Sequence, residues 1–146
     1  MKFEVDQSVK IEETSRDTVL ALSNDKHFAI LIPAEAKRQA LAYLRERGKS
    51  RRISVLLVFA AGLFLLLRNI GADVTLITID QEYEGKKHEA VIKGRLLQLL
   101  YEAGWQGDSN HIAFGLVEKK SGAHKRAWEV HRSKIAPDYR VTANEL

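Results

Sequence analysis

Residues 53–67 read ISVLLVFAAGLFLLL, an unbroken apolar run preceded by Lys49, Arg51 and Arg52. No other stretch limits the fold as strongly. A helix apolar on every side has to be surrounded, either by lipid or by the rest of a core. Fifteen residues make a helix of roughly 22 Å, short of the ~30 Å hydrocarbon thickness of a bilayer. The run therefore predicts a central buried helix, and the remaining segments have to supply layers on either side of it. Its basic flank keeps a small membrane-associated protein open as a third, less favoured reading.

The chain around this helix is long enough to build those layers. At 146 residues it reads as one domain, 1–146, with a core of its own. Before the run, Phe3 and Val5 alternate with Glu4 and Asp6. Segments Val9–Thr14 and Thr18–Leu22 and the apolar HFAILIP, closed by Pro33, follow as further strand candidates. Residues 34–48 change to helical spacing, with Ala36, Ala40, Leu41 and Leu44 on one side. Lys37, Arg38, Arg45 and Arg47 fall largely elsewhere, and Gly48 marks a stop. After the apolar helix, residues 73–80 read as a strand and Lys86–Ala103 as an amphipathic helix ending at Gly104. HIAFGLVEK reads as a last strand, and Ser121 as the N-cap of a helix running to about Lys134. The tail beyond Pro137 reads as loosely ordered. Three strands followed by alternation of helices and strands predict an α/β fold, with a mixed sheet covered on both faces.

Several function classes drop out. Cysteine is absent, which excludes disulfides and thiolate metal sites and fits a reducing, cytoplasmic setting. There is no P-loop, GxGxxG, HExxH or GxSxG motif. The net charge of +4 tilts toward an anionic partner. MKFEVDQ carries no apolar signal segment, and no membrane partner is expected.

Acidic and imidazole side chains sit at the ends of predicted elements. Asp80 closes the strand TLITID, Asp6 lies near the end of the first strand, and His124 opens the last helix in SGAHKRAWEV. Each has a plain structural alternative. Asp6 in VDQS could start a turn, Asp80 could cap the turn before the Lys86 helix, and His124 could face solvent. Glu82 and Glu84 read first as solvated loop acids, with Glu82 the possible additional acid of a site. Two basic groups stand out. One runs through Lys37, Arg38, Arg45, Arg47, Lys49, Arg51 and Arg52. The other includes Lys119, Lys120, Lys125 and Arg126, flanks His124, and is the better placed for nucleic-acid phosphates. Trp105, Trp128 and Tyr83 are the aromatic candidates for stacking on bases.

The element order and the patches KFEVDQS, FAAGLFLLLRNIGADVTLITIDQEYEG and SGAHKRAWEV together resemble the ribonuclease H-like superfamily. The resemblance implies a five-stranded mixed sheet with helices on both faces and catalytic carboxylates at Asp6 and Asp80. His124 would be the third ligand, as in the Asp-Asp-His members, which include Piwi and excision-repair nuclease domains. FAAGLFLLL lacks the glutamate that classical ribonuclease H carries on its first core helix, and residues 34–48 would be an inserted helix. The missing glutamate moves the likeness away from an RNA–DNA hybrid cleaver and toward the Asp-Asp-His branch, or toward an inactive relative. The likeness implies two Mg2+ or Mn2+ ions held by Asp6, Asp80 and His124, because phosphodiester hydrolysis needs an activated nucleophile and charge stabilisation on the leaving oxygen. The expected function is a metal-dependent nuclease, an exonuclease or flap-trimming enzyme acting on single-stranded DNA. The main alternative is a non-catalytic nucleic-acid-binding or assembly module on the same fold. A homo-oligomer is compatible with either reading.

Overall fold

The computed structural model describes residues 2–24, 27–68, 74–83, 85–117, 122–133 and 135–146. Its elements are β1 (Lys2–Gln7), β2 (Thr18–Ser23), β3 (His27–Ile32), α1 (Ala34–Glu46), α2 (Arg51–Leu67), β4 (Leu76–Asp80), α3 (Lys86–Glu102), β5 (Ile112–Gly115), α4 (Gly122–His131) and β6 (Tyr139–Arg140). Short 3-10 turns cover Ser109–His111 and Ala143–Glu145. The fold is α/β, with a six-stranded mixed sheet in the order β5-β4-β1-β2-β3-β6. β1, β2 and β3 pair antiparallel, whereas β4 lies parallel to β1, β5 to β4 and β6 to β3.

Side-chain alternation along β2 and β3 explains why the sheet is covered twice. Leu20, Leu22, Ile30 and Ile32 point into the larger core, which α2 fills with Val55, Phe59, Leu63 and Leu66. Val19, Ala21, Ala29 and Leu31 point the other way, onto Ala127 and Val130 of α4. Alanines on both sides of that second layer bring α4 close to the strands. Gly122, its first residue, lies so near that an added Cβ would stand 2.3 Å from Ser23 Oγ. α2 is the buried central helix expected from its sequence, with eleven of its seventeen residues buried. It packs against α1, α3, β2 and β3. Gly62 lets its backbone rest on the sheet, since a Cβ there would meet Ile32 Cδ1 and Leu20 Cδ1, both at 2.9 Å. Among the described residues, no helix is long and apolar enough to cross a membrane.

Four expectations are corrected. The sheet has six strands, not five, because the tail is ordered. Asp138 exchanges hydrogen bonds with the backbone of Ala29, and Tyr139 and Arg140 pair with Ile30 and Leu31 at the β3 edge. Val9–Thr14 is a series of turns rather than a strand. Val9 and Ile11 are buried as strand residues would be, but local bonds from Glu13 N to Lys10 O and from Arg16 N to Glu13 O fold the backbone back. Tyr83 is 4 % exposed and packs on Phe59 at 4.8 Å between ring centroids, so it offers no face to a base. Lys37 does not belong to the exposed basic group. It is fully buried, and its ammonium donates to Glu13 O at 2.7 Å, Thr18 Oγ1 at 2.9 Å and Lys10 O at 3.4 Å. Those bonds satisfy a buried cation with second lone pairs of two turn carbonyls and a threonine hydroxyl.

Candidate metal centre

Parallel pairing of β1 with β4 sets Val5 opposite Ile79. One residue further along each strand come Asp6 and Asp80, at the C-terminal ends of two adjacent strands. Val5 and Ile79 turn into the larger core, so the pleat sends the two aspartates to the α4 face. Glu82 follows in the turn after β4, where its N–H donates to Asp80 O at 2.9 Å. Carboxylate oxygens of Asp6, Asp80 and Glu82 all lie within 4.8 Å of one another, and among the described residues these three make a group able to hold a metal ion. A rigid sheet positions two of the three ligands, which a loop alone does less well.

The partners of each acid are specific. Asp6 is 3 % exposed. Its Oδ1 accepts from Gln7 N at 2.8 Å, and its Oδ2 accepts from His124 Nδ1 at 2.7 Å. His124 thus holds Asp6 from α4, on the face to which both aspartates point. Asp80 Oδ1 accepts from Val117 N at 2.8 Å, tying the carboxylate to the segment after β5. The N-terminus of α3 has Gly85 at the cap position and no side-chain cap, so Asp80 does not serve as its N-cap.

Electrostatically the three acids burden one another. Burial raises the Asp6 pKa, and the Asp80 charge raises it further, while the bonds from His124 and Gln7 N pull it back. Glu82 is pushed up to about 7, first by burial, then by its hydrogen bond to Asp80 and by the charges of Asp80 and Asp6; Lys10 opposes the rise. The cluster thus has more negative charge than its surroundings neutralise. Hard carboxylate oxygens without a thiolate suit Mg2+, Mn2+ or Ca2+. The donor chemistry fits a divalent cation.

Of the residues singled out in the sequence, Asp6, Asp80 and Glu82 come together, and His124 joins them through Asp6. Lys125 is exposed and Arg126 half-buried on α4, while Lys119, Lys120, Glu84 and the expected N-cap Ser121 lie outside the described residues. His131, seven residues after His124, bonds instead with Arg16 at 3.1 Å and Ser8 at 3.4 Å. Half-buried Trp128 stacks edge-on against it. Sequence reasoning missed Lys10 and gave Arg52 no role beyond its charge group. The available signal was the Arg51-Arg52 pair set directly after Ser50, which caps α2 by accepting from Ile53 N.

No protein-family model matches the chain, and no curated protein matches its sequence.

Proposed function

We propose that the chain is a metal-dependent nuclease of ribonuclease H-like fold, hydrolysing phosphodiester bonds, with single-stranded DNA ends or flaps as the substrate to test first. The observation that carries the reading is the convergence of Asp6, Asp80 and Glu82 on one small volume from two neighbouring strand ends. The mixed sheet with helices on both faces supports it, because a sheet of that kind is what the resemblance implies.

In this reading Asp6, Asp80 and Glu82 hold Mg2+ or Mn2+. Bound there, the metal would activate water as nucleophile and stabilise charge on the oxygen that leaves phosphorus. His124 acts through Asp6: its N–H fixes Oδ2 while Gln7 N fixes Oδ1, so the carboxylate has one orientation. Val117 N does the same for one oxygen of Asp80. His124 is thus a positioning residue, a narrower role than the ligand expected of it.

The test uses end-labelled single- and double-stranded DNA and RNA with Mn2+, Mg2+ or EDTA, comparing the wild type with Asp6→Asn and Asp80→Asn. Cleavage that needs metal and drops at least about a hundredfold in both variants is expected. A folded wild type that binds no Mn2+ by calorimetry and cleaves none of the substrates would overturn the reading. Binding of nucleic acid without metal or turnover would favour the non-catalytic module.

A further inference from the structure

Glu82 has two neighbourhoods. On one side it meets Asp6 and Asp80; on the other it forms a wall of an open cleft of about 480 Å3. Lys10, Arg52 and His88 also line that cleft, with Glu12 and Tyr83. The three residues able to carry positive charge come from three separate elements: the turns after β1, the first turn of α2 and the first turn of α3. From this geometry we infer that the cleft of Lys10, Arg52 and His88 seats the phosphates of a nucleic-acid strand whose reacting phosphodiester lies at the adjoining Asp6–Asp80–Glu82 group. The inference rests on the nuclease reading and specifies where the substrate strand runs.

The cleft is braced before any ligand arrives. Tyr83 Oη accepts from Ile11 N at 2.9 Å, tying the turns to the segment after β4. The buried Lys37 ammonium holds Lys10 O and Glu13 O from beneath. The Lys10 backbone is therefore fixed while its side chain reaches the cleft, where the ammonium lies 5.9 Å from the Tyr83 ring centroid. Arg52 is placed against local preference. The first turn of α2 contains no acidic residue, and a helix N-terminus disfavours cations. An anion in the cleft would be attracted by both the guanidinium and the helix end. Meanwhile Glu12 Oε2 holds Arg52 Nη1 at 3.4 Å, an exposed pairing weak enough for a phosphate to displace. This location replaces the α4 cations Lys125 and Arg126 as the main phosphate contacts.

The experiment is fluorescence anisotropy of 5′-fluorescein-labelled 12-nucleotide DNA and RNA single strands in EDTA, across a salt series. Proteins compared are the wild type, Lys10→Ala/Arg52→Ala, Lys125→Ala/Arg126→Ala and Glu12→Gln. Each lost phosphate contact lowers the slope of log K against log salt by about 0.7 for a single strand. The cleft variant should lose about 1.4 in slope and about tenfold in affinity, and the α4 variant less than about twofold. Glu12→Gln frees Arg52 and should tighten binding, an outcome that misfolding would not mimic. Equal binding by the wild type and the cleft variant, or a larger loss in the α4 variant, overturns the inference while metal-dependent cleavage by the wild type keeps the nuclease reading. A wild type that binds neither strand and cleaves nothing removes both.

Discussion

Replacing Glu82 by Gln tests whether the acid group carries an unneutralised charge. Folding lifts the Glu82 pKa from its usual 4.5 to about 7. Between those values the folded chain holds a proton that the unfolded chain has released, so stability falls as pH rises through this window. At pH 7 the full shift would cost about 3 kcal/mol and at pH 5 about 0.8 kcal/mol. Glu82 is only half-buried, so solvent screening reduces these to roughly 1–2 and below about 0.5 kcal/mol. Glutamine keeps the shape and cannot ionise. Without metal, Glu82→Gln should therefore melt higher than wild type at pH 7, by roughly 2–6 °C for a chain of this size, with little difference at pH 5. Calorimetry of both proteins in EDTA at the two pH values measures this. Added Mn2+ should then raise the wild-type midpoint more than that of the variant, since the cation substitutes for the proton only where the carboxylate exists. A variant no more stable than wild type at pH 7, or one equally stabilised at both pH values, would refute the reasoning.

Lys37 gives the opposite slope: burial lowers its pKa to about 8, against the pull of Asp17, Glu13 and Glu12. Between pH 8 and 10.5 the unfolded chain holds the extra proton, so wild type should gain up to about 3 kcal/mol relative to Lys37→Met over that range in denaturant titrations. The same variant should exchange amide hydrogens faster across residues 10–17, because the Lys37 ammonium no longer binds Lys10 O and Glu13 O. Gly62→Val forces two methyl groups beyond a Cβ that already stands 2.9 Å from Ile32 and Leu20. It should cost about 2–3 kcal/mol and lower the thermal midpoint by roughly 4–10 °C. His124→Asn should weaken Mn2+ binding by about tenfold to a hundredfold while leaving the fold intact, the usual cost of losing a residue that orients a ligand; unchanged affinity would remove its link to Asp6.

Periodicity revealed the parts of this fold that obey a single rule. β2 and β3 alternate between two cores, α2 is apolar all round, and Asp6 and Asp80 fall at strand ends. It failed where residue type and position disagree. Lys37 sits beside Ala36 and ahead of Ala40 and Leu41, squarely within the buried stripe of α1, yet its charge argued for the surface. What reverses that argument is a set of three acceptors, two of them turn carbonyls, brought together only by the tertiary fold. Val9 and Ile11 alternate like a strand, yet local turn bonds bend the segment, and Ile11 N is taken up by Tyr83 Oη, 72 residues away. β6 pairs only two residues, too short to have a period at all.

The same long-range contacts connect the core to the site. Lys37 and Tyr83 are buried groups with polar tips, and both tips end on the backbone of the turns after β1. A lysine in a core is costly unless its donors are met, and these turns meet them. The turns become a fixed edge from which Lys10 and Glu12 face the cleft, next to three carboxylates among which burial first, and then Asp80 and Asp6, raise Glu82 to about 7. Both strains are local and of known sign: carboxylates crowd at the strand ends, and Arg52 stands at the start of α2, where a cation is disfavoured, with Glu12 as its exposed partner. In the proposed reading a metal ion with a phosphodiester strand would relieve the two together, whereas a metal alone or an anion alone would relieve one. The sharpest consequence is coupling. Mn2+ should bind more tightly when a non-cleavable phosphorothioate strand is present, and Lys10→Ala/Arg52→Ala should abolish that enhancement without changing the affinity for Mn2+ alone. Independent binding of metal and strand to the wild type would break the link between cleft and acids.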